Sequence, residues 1–401
     1  MENSIKDKAD SVIANTYARF PLTLVKGTGC TVEDAEGKVY TDFVSGIAVC
    51  NLGHAHPAVS KAITEQAETL IHVSNLYYTK PQTDLAAWLV KNSFADKVFF
   101  GNSGAEANEA AIKLARKYFA VKGEDHKNKI ITMQMSFHGR TMATLSATGQ
   151  DKIKEGFSPI LEGFDYVPFN DINALKDKLD DDVCAVMLEP VQGEGGVCCP
   201  DPDYLKAVRA FCDEKGILLI FDEIQTGMGR TGTLFAYENY GVEPDIMTLA
   251  KALGNGLPIG AMLATDRVMS AFTAGSHAST FGGTPLVTAG AFAVAETFDK
   301  ESIVDKGKAA GDYFKAKLET LKDKYDFIED VRGKGLLLGM KIQKDGASIV
   351  NKCLEKGYLI NCIQGSILRF IPPLIISEND IDGLIDCLND VFENEVFENE
   401  V

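Results

Sequence analysis

Asp222 and Lys251 each stand at the end of a short apolar run, residues 217–221 and 246–250. Runs of that length read as buried strands. In a parallel α/β sheet the residues past the strand carboxyl ends face the crevice where ligands bind, so the pattern predicts an acid and an amine in one pocket. A desolvated lysine loses its proton more easily and can attack a carbonyl to form a Schiff base. An aspartate beside it can hold a pyridinium nitrogen protonated, the electronic requirement of pyridoxal phosphate acting as an electron sink. Taken singly, each has a plainer reading: a solvated surface lysine, and an aspartate that caps a helix or joins an ion pair. The turn-rich residues 254–260 after Lys251 favour the pocket, because glycine lets backbone approach a ligand closely.

Three further segments carry suitable chemistry. Ser103, Gly104 and Ala105 follow the apolar run 98–100 and open a helical pattern in which Ala107, Ala111, Leu114 and Tyr118 share a face. A helix amino terminus offers free N–H groups and a favourable dipole to a phosphate, although an ordinary cap after a strand accounts for the motif equally well. Ser-Phe-His-Gly-Arg at 136–140 places Phe137 where it can stack on a planar ring and Arg140 where it can grip a carboxylate. A buried phenylalanine and a surface arginine are the duller alternatives. The glycine-rich loop 189–196 holds Glu189 and Glu194, which would repel an acidic substrate unless a cation masks them. His54 and His56 lie beside Gly53 and Pro57 with no third ligand in view, so no metal is expected.

The elements that must position these residues are legible as a pattern. Apolar runs at 98–100, 130–135, 183–188, 217–221 and 246–250 alternate with helical stretches, which predicts an α/β fold with a mostly parallel, helix-covered sheet. A hairpin turns at Ala35, Glu36 and Gly37. A long amphipathic helix covers 302–325, and 335–342, 357–363 and 366–375 read as short strands of a separate α+β unit. The expected division is a large domain, 56–296, and a small α+β domain built from both chain ends, 1–55 and 297–401. The tail repeats VFENE from Val391 to Val401, read as a helix end followed by a frayed acidic extension.

Composition narrows the function classes. The chain has 401 residues, 45% hydrophobic and 24% charged, which suits a soluble globular protein with a large core. A net charge of -17 argues against a nucleic-acid surface, which needs clustered positive charge. Nine scattered cysteines without a CxxC pair indicate neither a zinc site nor a disulfide framework. No apolar run reaches membrane-spanning length, and the first twenty residues lack the apolar centre of a signal peptide, so a cytoplasmic location is the default expectation.

In identity, order and spacing these segments resemble the class III, fold type I aminotransferases that use pyridoxal phosphate. DEIQTGMGRTG at 222–232 and TLAKALGNGLPIGA at 248–261 carry the resemblance most specifically, and it extends from about residue 17 to 388. It implies that Lys251 is the Schiff-base lysine and Asp222 the partner of the pyridine nitrogen. Ser103, Gly104 and Ala105 would bind the phosphate, Phe137 and Ile224 would flank the ring, and Gln225 would bond its hydroxyl. Thr280 would reach the phosphate held by a neighbouring subunit, with Ser279 near the substrate, which implies a homodimer with shared active sites. Thr284 departs from the asparagine usual before that proline, which puts the local loop geometry in question. Arg140 would take the distant carboxylate of the substrate and Arg369 the near carboxylate of glutamate, with Glu194 masking Arg369 in the other half-reaction. The resemblance further implies transfer of the terminal amine of N2-acetylornithine to 2-oxoglutarate. Ornithine, succinylornithine, succinyldiaminopimelate and 4-aminobutyrate stay open as donors, and a pyridoxal aminomutase, needing no external 2-oxo acid, is the rival from another class.

Overall fold

The computed structural model describes residues 5–395. Its strands are β1 (Leu24–Thr28), β2 (Thr31–Asp34), β3 (Val39–Asp42), β4 (Lys97–Gly101), β5 (Lys129–Met133), β6 (Phe164–Val167), β7 (Val183–Leu188) and β8 (Leu218–Asp222). These are followed by β9 (Ile246–Leu249), β10 (Gly260–Ala264), β11 (Ile328–Lys334), β12 (Leu337–Ile342), β13 (Tyr358–Leu359), β14 (Asn361–Ile363) and β15 (Ile367–Phe370).

The central sheet has seven strands in the order β4-β10-β9-β8-β7-β5-β6. Strands β6, β5, β7, β8 and β9 pair in parallel, and β10 runs antiparallel between β9 and β4. Every residue of β7, β8, β9 and β10 is buried. That is the cause of their continuous apolar runs: a sheet covered on both faces has no solvent side to alternate with. Side chains still sort by the strand period of two. Leu219, Phe221, Met247 and Leu263 join a core with Val59, Leu85, Trp88 and Val294 on one face. Ile220, Ile246 and Met262 join Ala111, Leu114 and Tyr118 of helix Gly104–Ala120 on the other.

Two four-stranded sheets flank this core. In the first, β1, β2 and β3 form an antiparallel meander, and β13 adds in parallel to β3, joining the amino-terminal hairpin to the carboxyl-terminal part of the chain. The second, β11-β12-β15-β14, is antiparallel throughout and packs against helix Ile303–Lys324.

Several boundaries differ from the sequence reading. Residues 357–363 are not one strand: Ile360 separates β13 from β14, which belong to different sheets. The run 130–135 stops at Met133, because Met135 adopts a left-handed backbone (φ 62) that leaves the ladder. Ile217 falls outside β8, whereas Asp222 is its last residue rather than the one beyond it. Strands β1, β6 and β11 carry no clear apolar signal; β10 lies in the apolar run 259–264, but Gly260, read as part of a turn, opens it. Residues 227–232 carry the spacing GxGxxG, yet they lie in turns and open no helix, as a dinucleotide loop must. The first VFENE copy ends helix Glu378–Glu395, and the second lies outside the described residues. Among the described residues no helix is long and apolar enough to cross a membrane.

Candidate active site

The carboxyl ends of the parallel strands converge on a cavity of about 400 Å³, within the usual range for small-molecule sites. Ser103, Gly104 and Ala105 line it after β4, Phe137 and Arg140 after β5, Glu189 and Glu194 after β7, Asp222, Ile224 and Gln225 at the end of β8, and Lys251 after β9. Lys251 sits there with a positive φ of 44, a strained conformation of the kind that concentrates at functional positions.

Asp222 is held by donors only. Its Oδ1 accepts from the Ile224 backbone N–H at 3.0 Å, and its Oδ2 accepts from Asn108 Nδ2 at 2.7 Å and faces His138 Nδ1 at 2.8 Å. With an ionised carboxylate as partner, Nδ1 must carry the proton. His138 and Asn108 are fully buried, so the carboxylate is fixed from behind while its lining face stays toward the cavity.

The start of helix Gly104–Ala120 lines the same cavity. Ser103 caps it, its hydroxyl accepting from Glu106 N at 3.2 Å, while Gly104 and Ala105, as first-turn residues, have no intrahelical acceptor for their N–H groups. The cradle needs glycine on both sides. A Cβ on Gly104 would come within 2.7 Å of Ile224 Cδ1, and one on Gly260 would come within 2.1 Å of the Ser103 carbonyl oxygen.

Charges around the cavity are coupled. Burial pushes the Lys251 amine down to about 8; Arg369 adds to that, while Glu194, Asp222 and Glu189 oppose it. Burial, reinforced by Asp222, pushes the Glu189 carboxyl well above the usual range, and its Oε2 is buried without a hydrogen-bond partner. Glu194 goes the other way. Burial alone would raise it, but Arg369 and then Lys251 outweigh burial and hold it below the usual range. Arg369 Nη1 donates to Glu194 Oε1 at 2.5 Å and to Gln225 Oε1 at 3.4 Å, and Gln225 Nε2 donates to the same Glu194 oxygen at 3.3 Å.

Not every expected residue lines the cavity. Arg369, on β15, is buried behind Glu194 rather than at the wall. Ser279 is one bond removed: its Oγ accepts from Asn102 Nδ2 at 3.1 Å, and Asn102 is a lining residue. Thr280 is exposed and away from this chain's own cavity, beside Phe281, which is 61% exposed. Thr284 keeps an ordered junction despite its departure from the family pattern, donating to the Ile71 carbonyl at 2.8 Å and facing His72 Nδ1 at 3.0 Å. His54 and His56 are engaged by carboxylates, His54 Nε2 with Asp42 at 2.8 Å and His56 Nε2 with Glu301 at 3.9 Å. The sequence reading missed Asn108 and the use made of His138. A polar residue inside the small-residue stripe of a buried helix was the available signal for Asn108.

The residues present suit pyridoxal phosphate. An anion cradle at a helix amino terminus, a buried carboxylate fixed by three donors, an aromatic wall and an amine with a depressed pKa surround one cavity. A family model, Aminotransferase class-III, matches residues 12–392. The acetylornithine aminotransferase of Caldanaerobacter subterraneus subsp. tengcongensis is 54% identical over 380 residues, covering 94% of this chain and 96% of the relative. The ornithine aminotransferase from Toxoplasma gondii ME49 superposes with a TM-score of 0.93 at 35% identity, covering 97% of this chain and 95% of that one. The acetylornithine aminotransferase from Elizabethkingia anophelis superposes with a TM-score of 0.86 at 34% identity over 96% of this chain and 97% of that one. The cavity's chemistry and these likenesses agree, and the chain belongs to the class III aminotransferases, pyridoxal-phosphate-dependent transaminases of fold type I.

Proposed function

We propose that the enzyme moves the terminal amino group of N2-acetyl-L-ornithine to 2-oxoglutarate, giving N-acetyl-L-glutamate 5-semialdehyde and L-glutamate. The observation that carries this reading is the Glu194–Arg369 pair behind a cavity that also presents Arg140 and Lys251. Such a site must accept a donor whose α-carboxylate is far from the reacting amine, and also glutamate, whose α-carboxylate is next to it. Arg140, at the mouth, suits the distant carboxylate in both half-reactions. Arg369 suits the near one, and with acetylornithine bound it would be an unpaired buried cation, a costly arrangement without Glu194.

Bound in this cavity, pyridoxal phosphate supplies an electron sink for the carbon that loses its proton. The residues of this chain do the rest. Ser103, Gly104 and Ala105 would take the phosphate, Phe137 and Ile224 would flank the ring, Gln225 would bond its hydroxyl, and Asp222 would bond its nitrogen. Lys251 would anchor the cofactor through its Nζ, and that nitrogen, when free, would take the proton from the donor carbon that bears the amine. Thr280 is assigned to the phosphate of a second subunit, with Ser279 near the substrate, in a homodimer; the exposure of Thr280, Phe281 and Tyr78 supports a covered face there. The division into a large unit, 56–296, and a small one from 1–55 and 297–401 belongs to the same reading, supported by the β3–β13 pairing.

A panel of amine donors with 2-oxoglutarate as acceptor tests the assignment. N2-acetylornithine is expected to give kcat/KM at least tenfold above ornithine and 4-aminobutyrate, about 1.4 kcal/mol of discrimination. A preference for ornithine or 4-aminobutyrate would replace the donor, and product without any 2-oxo acid would point to an aminomutase.

A further inference from the structure

We propose that Asn108, clamped by Thr248, is a positioning residue that sets the plane of the Asp222 carboxylate toward the cofactor's ring nitrogen. Asn108 is fully buried in helix Gly104–Ala120, and its amide joins four parts of the site. Its Nδ2 donates to the His138 carbonyl at 2.7 Å and to Asp222 Oδ2 at 2.7 Å. Its Oδ1 accepts from Thr248 Oγ1 at 2.7 Å, and Thr248 lies on β9 three residues before Lys251.

The partners fix which way the amide points. A carboxylate and a backbone carbonyl only accept, so both must face the NH2 group, and the hydroxyl is left for the oxygen. No other side chain of this size supplies two donors and one acceptor in that arrangement. An aspartate would set a second anion against Asp222, and a leucine would leave the His138 carbonyl and the Thr248 hydroxyl unpaired and take one donor from Asp222. The phosphate-cradling helix, the Phe137 loop, Asp222 and the strand leading to Lys251 are thereby locked in one register. Without Asn108, Asp222 Oδ2 keeps only His138, and its plane can turn away from the direction a ring N–H requires.

The inference rests on reading Asp222 as the partner of the ring nitrogen, and one experiment separates the two claims. The apoenzyme is titrated with pyridoxal phosphate and with 1-deazapyridoxal phosphate, in which carbon replaces the ring nitrogen, and the ratio of the two dissociation constants is taken. Asp222→Ala is expected to collapse the wild-type preference for pyridoxal phosphate; an unchanged ratio would remove Asp222 from its role. Asn108→Ala is expected to lower that preference at least threefold. A ratio within threefold of wild type, even with both affinities reduced equally, would make Asn108 a purely structural residue and overturn the inference. If Asn108→Ala yields no soluble protein, Thr248→Val decides. It removes one hydroxyl, and at least a twofold fall in the ratio is expected; a smaller change overturns the proposal.

Discussion

Gly260 and Ser103 touch backbone to backbone: a Cβ on Gly260 would lie 2.1 Å from the Ser103 carbonyl oxygen. Gly260 also pairs with Gly101 across β10 and β4, so the strand cannot retreat without breaking its ladder. Gly260→Ala is therefore expected to displace Ser103 and the start of the anion cradle. Overpacking of this kind costs about 1–3 kcal/mol. Thermal unfolding and pyridoxal phosphate titration of the apoenzyme check it. A variant with wild-type midpoint and affinity would show that the contact relaxes freely.

The depressed pKa of Lys251 gives a pH dependence with a defined sign. Its amine is protonated below about 8 and neutral above, whereas an ordinary lysine stays charged to about 10.4. The rate at which apoenzyme captures pyridoxal phosphate, followed by absorbance, is expected to rise with pH, pass half its maximum near 8 and level off above it. A rise continuing past pH 10 would mean that burial does not tune this amine. Lys251→Ala is expected to keep its fold and lose at least about 1,000-fold in turnover, within the span for loss of a general base.

Thr280 is absent from the cavity of its own chain. Mixed dimers of Thr280→Ala and Lys251→Ala chains test whether it serves a partner. One hybrid site is expected to combine both defects while the other is intact, restoring about half of wild-type activity per mixed dimer. Hybrids without an intact site would return Thr280 to its own subunit.

His54 supplies a stability prediction away from the chemistry. Its hydrogen bond to Asp42, then its contact with Cys50, raises its pKa from 6.5 to about 10. A raised histidine stabilises the fold fully below the unfolded value, so this contribution is present below pH 6.5 and is lost as pH climbs toward 10. Denaturation midpoints measured at pH 6 and pH 10 should fall more in wild type than in His54→Gln. An equal fall in both proteins would assign the loss to other groups.

Much of this architecture could be read before any coordinates, for physical reasons that also explain the gaps. Strands β7, β8 and β9 are buried on both faces and write uninterrupted apolar runs, and the charged residues that end them, Glu189, Asp222 and Lys251, announce the cavity. Strand β10, GAMLA, belongs to the apolar run 259–264, but it follows directly on the turn residues 254–258 and opens with a glycine, so it reads as the turn's continuation rather than as a strand of its own. Residues 357–363 look like one strand because sequence does not show that Ile360 crosses between sheets. Asn108 was hidden for a similar reason: its three partners lie 30, 114 and 140 residues away along the chain.

The most direct test concerns the pair Glu194 and Arg369 and the two half-reactions it is proposed to separate. Single-turnover rates should be measured for wild type, Glu194→Ala and Arg369→Ala, with N2-acetylornithine for one half and glutamate for the other. Glu194→Ala is expected to slow the acetylornithine half by tenfold or more while sparing or speeding the glutamate half. Arg369→Ala is expected to damage chiefly the glutamate half. Equal losses in both halves for both variants would contradict the masking of Arg369 by Glu194 and the two-substrate logic built on it.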